Sequence, residues 1–88
     1  VEKGYKILEE AVKESGALSE ESLKQTLRLT IFLLKNDPSN YAAEVIYPMY
    51  TKYQKQIDSQ VTKLNKSEQE LFKDGIKVFA REKAEGNG

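Results

Sequence analysis

The stretch IYPMYTKY, residues 46–53, decides how this chain of 88 residues folds, because it puts a proline inside a segment with the pattern of a helix. Proline has no backbone N–H to donate, and its ring crowds the preceding turn. We therefore predict a kink or a break near Pro48. Two forms fit the pattern: one bent helix over 38–64, or a short helix over 38–46 followed by a longer one over 48–64.

Three tyrosines crowd round this proline, and the sequence offers two interpretations of them. From the proline onward, large apolar and aromatic residues recur three or four positions apart, at Tyr50, Tyr53, Ile57, Val61 and Leu64. This spacing favours core aromatics whose hydroxyls reach a wet edge. The alternative is a tyrosine-lined crevice at the bend, where Tyr47 and the free carbonyl of Glu44 receive a partner's side chain.

Three further helices are predicted from hydrophobic periodicity and capping residues. The first covers about 2–14, with its apolar residues three or four positions apart. The second begins after Ser19, a residue type that caps helix N-termini, and ends near Asn36. The last covers about 67–83 and begins with a capping box at Ser67. Because the connections are short, we expect an all-α fold, a small antiparallel four-helix bundle whose third helix is kinked or broken near Pro48.

Two local signals refine this prediction. The third helix should begin at Pro38, because Asp37 is a good N-cap and proline is favoured at the first helical position. In the last helix, Gly75 lies on the apolar face, where glycine costs about 1 kcal/mol relative to alanine. An antiparallel pairing would set Gly75 opposite Tyr53 and Ile57, and we expect the glycine to give room for a ring or to allow a close backbone approach there.

Composition limits the classes of protein to which the chain can belong. Its 88 residues make one domain, which we expect to cover 1–84 with a flexible tail at 85–88. Fourteen Lys and Arg balance fourteen Asp and Glu, so net charge favours neither nucleic acid nor membrane as partner. Cysteine and histidine are absent, which excludes disulfides and removes the usual general base. No apolar run is long enough to span a bilayer.

No group of residues predicts catalysis. The sequence lacks a glycine-rich phosphate loop, a metal-ligand spacing and a paired serine and histidine. Its glutamates near the first turn have the pattern of an exposed helix surface. We therefore expect no enzyme activity, no catalytic residue, no cofactor and no bound metal. The sequence indicates no subcellular compartment.

The second helix is apolar more than halfway round, which gives the strongest prediction of a binding surface. At about 100° per residue, Phe32 falls behind the core stripe and Leu29 falls beside it. Either the helix is buried on nearly all sides, with 36–40 or the short segment before Pro48 folded over Phe32, or Leu29, Phe32 and Leu33 form an outward patch. An exposed apolar patch usually marks a partner site. The predicted partner-binding residues are Leu29, Phe32, Leu33 and Tyr47.

Two functions are consistent with these surfaces. The first is a non-catalytic protein-interaction module, meaning an adaptor, an assembly factor or a subunit of a larger complex, that binds another protein or a second copy of itself. The alternative is weak binding of nucleic acid or an anionic surface by a lysine stripe on the predicted third helix. The stripe consists of Lys52, Lys55, Lys63 and Lys66. Because it lacks neighbouring arginines or aromatics, a solvated helix face explains it more simply, and nucleic acid is not the expected partner.

Overall fold

The computed structural model describes residues 2–14 and 19–86, and every regular element in them is an α-helix. The helices are α1 (Glu2–Lys13), α2 (Glu20–Asn36), α3 (Tyr41–Lys52), α4 (Gln54–Val61) and α5 (Lys66–Gly86). The predicted all-α class is confirmed, but the described residues form five helices rather than four. Both α2 and α3 pack against each of the other four helices.

Polar caps fix where α2 and α5 begin. Ser19 Oγ accepts a hydrogen bond from Ser22 N at 3.1 Å, so the predicted cap of α2 is confirmed. At α5 the cap is Asn65 rather than Ser67, since Asn65 Oδ1 accepts a hydrogen bond from Glu68 N at 2.8 Å. Asparagine caps as well as serine does, and here it comes two residues earlier in the chain.

The far end of α5 reaches beyond its predicted limit. The helix continues to Gly86, so it extends two residues into the segment 85–88, for which the sequence predicts a tail. Residues 87 and 88 lie outside the described residues, as does Val1.

The prediction that a helix begins at Pro38 is wrong. Asp37 ends α2 in an extended conformation, and its Oδ1 accepts a hydrogen bond from Ser39 N at 2.9 Å. The Asp37 side chain therefore closes a turn instead of capping a helix. Asn40 ends that turn with φ at 64°, a left-handed conformation that asparagine tolerates better than most residues. The next helix, α3, starts one residue after it.

Pro48 lies inside α3, and the interruption of the predicted helix over 38–64 comes later. It lies at Tyr53, whose φ of −119° and ψ of 38° separate α3 from α4. Tyr53 N still donates to Met49 O at 2.9 Å, and Ile57 N donates to Tyr53 O at 2.9 Å. A single residue, Tyr53, therefore separates α3 from α4. A bend at Pro48 itself stays a prediction.

Tyr50 links the two sides of this interruption. Its ring packs edge-on against Phe72 with centroids 5.7 Å apart. Its hydroxyl donates a hydrogen bond to Asp58 Oδ1 on α4 at 2.9 Å. Tyr50 and Tyr53 are half-buried and pack against the larger core cluster. These contacts support the interpretation of both residues as core aromatics with polar tips at a wet edge.

Tyr50→Phe is expected to lower the free energy of unfolding at pH 7 by about 1 kcal/mol, because the bond to Asp58 is lost. Burial, followed by that hydrogen bond, raises the pKa of Tyr50 to about 12, from about 10 in the unfolded chain. Above pH 10 the unfolded state loses this proton while the folded state keeps it. Stability from this group is therefore full below about pH 10 and is lost as the pH rises toward about 12.

Urea unfolding at several pH values between 8 and about 12 measures this effect. The wild-type chain should lose more stability across the upper part of that range than Tyr50→Phe does. Tyr41→Phe is the matched control, because Tyr41 also donates to a carboxylate, Glu9 Oε2 at 2.9 Å, but lies exposed. Parallel pH profiles for wild type and Tyr50→Phe would show that this bond does not form.

Two buried clusters make the core, and α2 contributes to both. The larger cluster consists of Leu23, Leu27, Ile31, Ile46, Met49, Ile57, Val61 and Phe72. The smaller cluster consists of Leu8, Leu33, Leu34, Ala42 and Ala43. Because α2 lies between two clusters, it buries apolar side chains over more of its circumference than a helix with one buried face.

Gly75 is buried, but its neighbours are on α2, α3 and the turn before α3 rather than Tyr53 and Ile57. A Cβ added at Gly75 would lie 3.0 Å from Asn40 Oδ1 and 3.4 Å from Ala43 Cβ. Asn40 Nδ2 also donates a hydrogen bond to Gly75 O at 3.0 Å. Other side chains therefore come close to this glycine, and its expected position opposite Tyr53 and Ile57 is wrong.

Candidate partner-binding surface

The outer face of α2 carries one exposed aromatic side chain, Phe32. Its exposed fraction is 54%. Of the two alternatives that the sequence left open, burial of Phe32 within the chain is therefore wrong. Arg28 lies one turn before Phe32 and Lys35 one turn after it, and both are exposed. An arc of about 80° around the helix axis contains Phe32 and three cationic residues, Lys24, Arg28 and Lys35. Phe32 is therefore an apolar centre on a basic helix face.

A small recess lies beside the Phe32 ring. Its volume is about 140 Å³, and its walls are Arg28, Ile31, Phe32, Lys35, Leu64 and Glu68. Ile31 is buried and Leu64 half-buried, so the deeper part of the recess is apolar while the charged residues surround its opening. This space suits a single apolar side chain.

Charges at the opening of the recess are already partly paired within the chain. Lys35 Nζ donates a hydrogen bond to Glu68 Oε2 at 3.0 Å. This bond lowers the pKa of the Glu68 carboxyl, with smaller contributions from the Lys35 and Arg28 charges, while partial burial opposes the shift. The basic side chains of α2 therefore stabilise a carboxylate that projects from α5.

Leu33 does not belong to the predicted outward patch. Its exposed fraction is 0%, and it is part of the smaller core cluster with Leu8. The physical reason is that α1 packs along this side of α2. Leu29 is half-buried beside the same cluster, so it contributes an edge to the surface rather than its centre.

Ile7 on α1 extends the apolar surface across the seam between α1 and α2. Gly4 faces α2, since a Cβ there would lie 3.7 Å from Leu29 Cδ1. Tyr5 faces α3, with its ring centroid 5.0 Å from that of Tyr41. At about 100° per residue, Ile7 lies about 60° from Gly4 and about 160° from Tyr5, on the α2 flank. Its exposed fraction is 58%.

We call Ile7, Leu29 and Phe32 the Phe32 surface. Ile7 was not among the predicted partner-binding residues, because the prediction for α1 considered only the apolar stripe that this helix buries. The signal that could have found it is an isoleucine on a face otherwise occupied by charged residues.

Tyr47 lies apart from the Phe32 surface. Its half-buried ring packs edge-on against Phe79 with centroids 5.1 Å apart, and Lys83 Nζ lies 5.5 Å from the ring centroid. Phe79 is 11 residues beyond Glu68 on α5, about 16 Å at 1.5 Å per residue. The structure does not bring Tyr47 together with Phe32, and a role for Tyr47 in partner binding stays a prediction.

The four predicted lysines do not lie on one straight helix. Lys52 is in α3, Lys55 in α4, Lys63 in the following turn and Lys66 at the start of α5. Two of them contact groups of the same chain: Lys52 Nζ lies 5.4 Å from the Tyr53 ring centroid, and Lys63 Nζ lies 3.5 Å from Glu20 Oε1. The interruption at Tyr53 and the turn before α5 therefore divide the predicted stripe.

A wider cleft, of about 490 Å³, lies between the start of α2 and α4. Leu23 and Tyr53 give it an apolar floor, and Lys55 and Gln56 are among its polar walls. The side chain of Gln60 is buried there and donates from Nε2 to Glu20 Oε1 at 3.0 Å.

Metal binding and membrane insertion find no support in the part of the chain that the structure describes. No group of three or more acidic side chains there is arranged to hold a metal ion. No helix within 2–14 or 19–86 has the length and apolar character needed to cross a membrane. Compared with models of protein families, with curated proteins and with solved structures, the chain matches none.

Proposed function

We propose that this chain is a non-catalytic protein-interaction module, an adaptor, assembly factor or subunit of a larger complex, that binds its partner through the Phe32 surface. The observation that carries the proposal is the 54% exposure of Phe32 on a helix whose other large apolar side chains are buried or half-buried. Aromatic anchors of this kind dominate binding energy at protein interfaces. The recess beside Phe32 gives such an interface a pocket as well as a projecting ring.

The alternative function, weak binding of nucleic acid or an anionic surface by the lysines, has less support. Phosphate binding along a helix face gains from several cations that act together. Here the lysines are distributed over separate elements, and Lys63 already has an acidic neighbour in Glu20. This function stays a prediction.

Phe32→Ser is expected to weaken partner binding about 30-fold or more, because truncating a central aromatic anchor costs about 2 kcal/mol or more. The free energy of unfolding should change by less than about 0.5 kcal/mol, as is usual for an exposed position. Proteins captured from a native extract by immobilised wild-type and variant chains, quantified by mass spectrometry, measure the binding. Urea unfolding measures the stability.

Val78→Ser is the matched control, because Val78 is 45% exposed on α5 and lies outside the Phe32 surface. It should retain the captured proteins that Phe32→Ser loses. Analytical ultracentrifugation of the wild-type chain and of Phe32→Ser at increasing concentration tests self-association. Equal capture by wild type and Phe32→Ser, with no concentration-dependent dimer, would end the proposal.

A further inference from the structure

The recess and the ring of Phe32 together define what an occupant must present at its centre. The recess holds about 140 Å³ and has Ile31 and Leu64 at its apolar end. A branched or aromatic apolar side chain would contact both of these residues and one side of the Phe32 ring. A polar side chain at this deeper end would lose its water, and the side chains of Ile31 and Leu64 offer no hydrogen-bonding group to replace it. The occupant's anchor is therefore apolar.

The border of this site is basic. Eight exposed residues make up the outer face of α2 after its first residue: Glu21, Ser22, Lys24, Gln25, Arg28, Phe32, Lys35 and Asn36. Three cations against one carboxylate give these residues a net charge of +2, and Glu68 at the opening of the recess lowers the net charge of the border to +1. The ion pairs of the described residues engage Lys35 and Lys63, so Lys24 and Arg28 have no acidic partner at ion-pair distance there.

Glu68 indicates which charge this border accepts. Its carboxylate lies at the opening of the recess, held by Lys35 at 3.0 Å. A carboxylate from another molecule would find the same kind of environment about two or three turns earlier on α2, beside Arg28 and Lys24. The surface thus repeats a pairing that the chain already makes with its own α5.

We infer that the partner at the Phe32 surface is an acidic protein segment: an apolar side chain enters the recess, and carboxylates on one side of it meet Arg28 and Lys24. This inference rests on the proposed function and adds the chemistry of the partner. Complementary charge of this type sets specificity and association rate more than affinity.

Two other occupants fit the surface less well. A second copy of this chain would bring two basic faces together, and like charges across an interface are unfavourable. Single-stranded nucleic acid carries the right charge, but it binds through successive aromatic platforms for its bases. The outer face of α2 offers one aromatic ring and an apolar recess instead.

A library of random 16-residue peptides displayed on phage tests the inference through the chemistry of the peptides that bind. Peptides are selected on the folded wild-type chain and counter-selected on Phe32→Ser, so that only ligands of the Phe32 surface remain. We expect the retained peptides to carry net negative charge, with acidic residues close to a leucine, isoleucine or phenylalanine. The best peptide is then synthesised, and its Kd is measured by fluorescence anisotropy.

Arg28→Glu should weaken this peptide about fivefold or more, since an attraction between exposed charges becomes a repulsion. Arg81→Glu, at an exposed position near the C-terminal end of α5, is the matched control and should leave the Kd within about twofold. A peptide in which asparagine or glutamine replaces each acidic residue should bind the wild-type chain about as weakly as the acidic peptide binds Arg28→Glu. Rising salt should weaken the acidic peptide and leave the amide peptide nearly unchanged.

The outcomes separate this inference from the proposed function. Neutral or basic peptides that bind only when Phe32 is present would overturn the inference and leave the proposed function standing. A selection that yields no Phe32-dependent peptide would count against both. A retained pool rich in acidic residues but without an apolar anchor would overturn the inference in favour of general polyanion binding, which an RNA oligonucleotide would then compete away.

Discussion

Phe72→Ala is expected to lower the free energy of unfolding by about 3–5 kcal/mol. Phe72 is 2% exposed and belongs to the cluster that joins α5 to α2, α3 and α4. Its removal leaves a cavity against Tyr50, whose ring centroid lies 5.7 Å away. Small domains are stable by about 5–15 kcal/mol in total, so this variant should be close to unfolding at room temperature.

Urea unfolding followed by circular dichroism at 222 nm measures this loss. Phe72→Leu keeps most of the volume and should lose about 1.5 kcal/mol or less. Phe32→Ala removes the same ring from an exposed site and should change stability by less than about 0.5 kcal/mol. If Phe72→Ala cost no more than Phe32→Ala, α5 would not be docked on the other helices as described.

Helices and their approximate positions could be predicted from this sequence, because each depends on local information. Apolar spacing and the Ser19 cap are enough to define α2. Where two caps compete, local reasoning is less certain: Ser67 has the better-known motif, but Asn65 comes first and caps α5. The turn before α3 depends on the Asp37 side chain. It accepts a hydrogen bond from Ser39 N instead of capping a helix that begins at Pro38, as was predicted.

The position of the interruption in the third predicted helix could not be read from proline alone. Proline removes one hydrogen bond, but Pro48 is exposed, and the helix continues past it. The interruption comes at Tyr53, and Ile57 and Val61 on α4 beyond it belong to the larger core cluster. The position of such an interruption depends on tertiary packing, which a single sequence does not display.

The candidate site was predicted in part. Phe32 was singled out because it lies behind the apolar stripe, and it is exposed. Leu33 lies only 100° from Phe32 around an ideal helix, and helical periodicity could not decide which of the two α1 would cover. Ile7 comes from another helix, so its position beside α2 depends on how α1 is rotated about its axis.

Leu33→Ala is the second large prediction, and it tests that division of α2 into an inner and an outer side. Leu33 is 0% exposed, so the change should lower the free energy of unfolding by about 2–5 kcal/mol. Phe32→Ala, one residue away, should be nearly neutral. Similar losses for the two variants would mean that α2 is rotated relative to the arrangement described.

Gly4 allows a sharper test of the same contact. A Cβ at Gly4 would lie 2.9 Å from Leu33 Cδ2, so Gly4→Ala in the wild-type chain forces a fully buried side chain to shift, and this cost opposes the gain in helix propensity. In the Leu33→Ala chain the same methyl group enters the space that the leucine left, and alanine is the better helix former by about 1 kcal/mol. Gly4→Ala should therefore stabilise that variant.

The double-mutant cycle over these two positions should give a coupling free energy of about 1 kcal/mol or more. Thermal or urea unfolding of the four chains measures it, and Gly4→Ala combined with Phe32→Ala serves as the control pair, since a Cβ at Gly4 would meet Leu33 and Leu29 while Phe32 is exposed. A coupling free energy of this size that appears with Leu33→Ala and not in the control pair requires that α1 cover Leu33. With α1 in that position, Phe32 and Ile7 remain outside, where a partner can reach them.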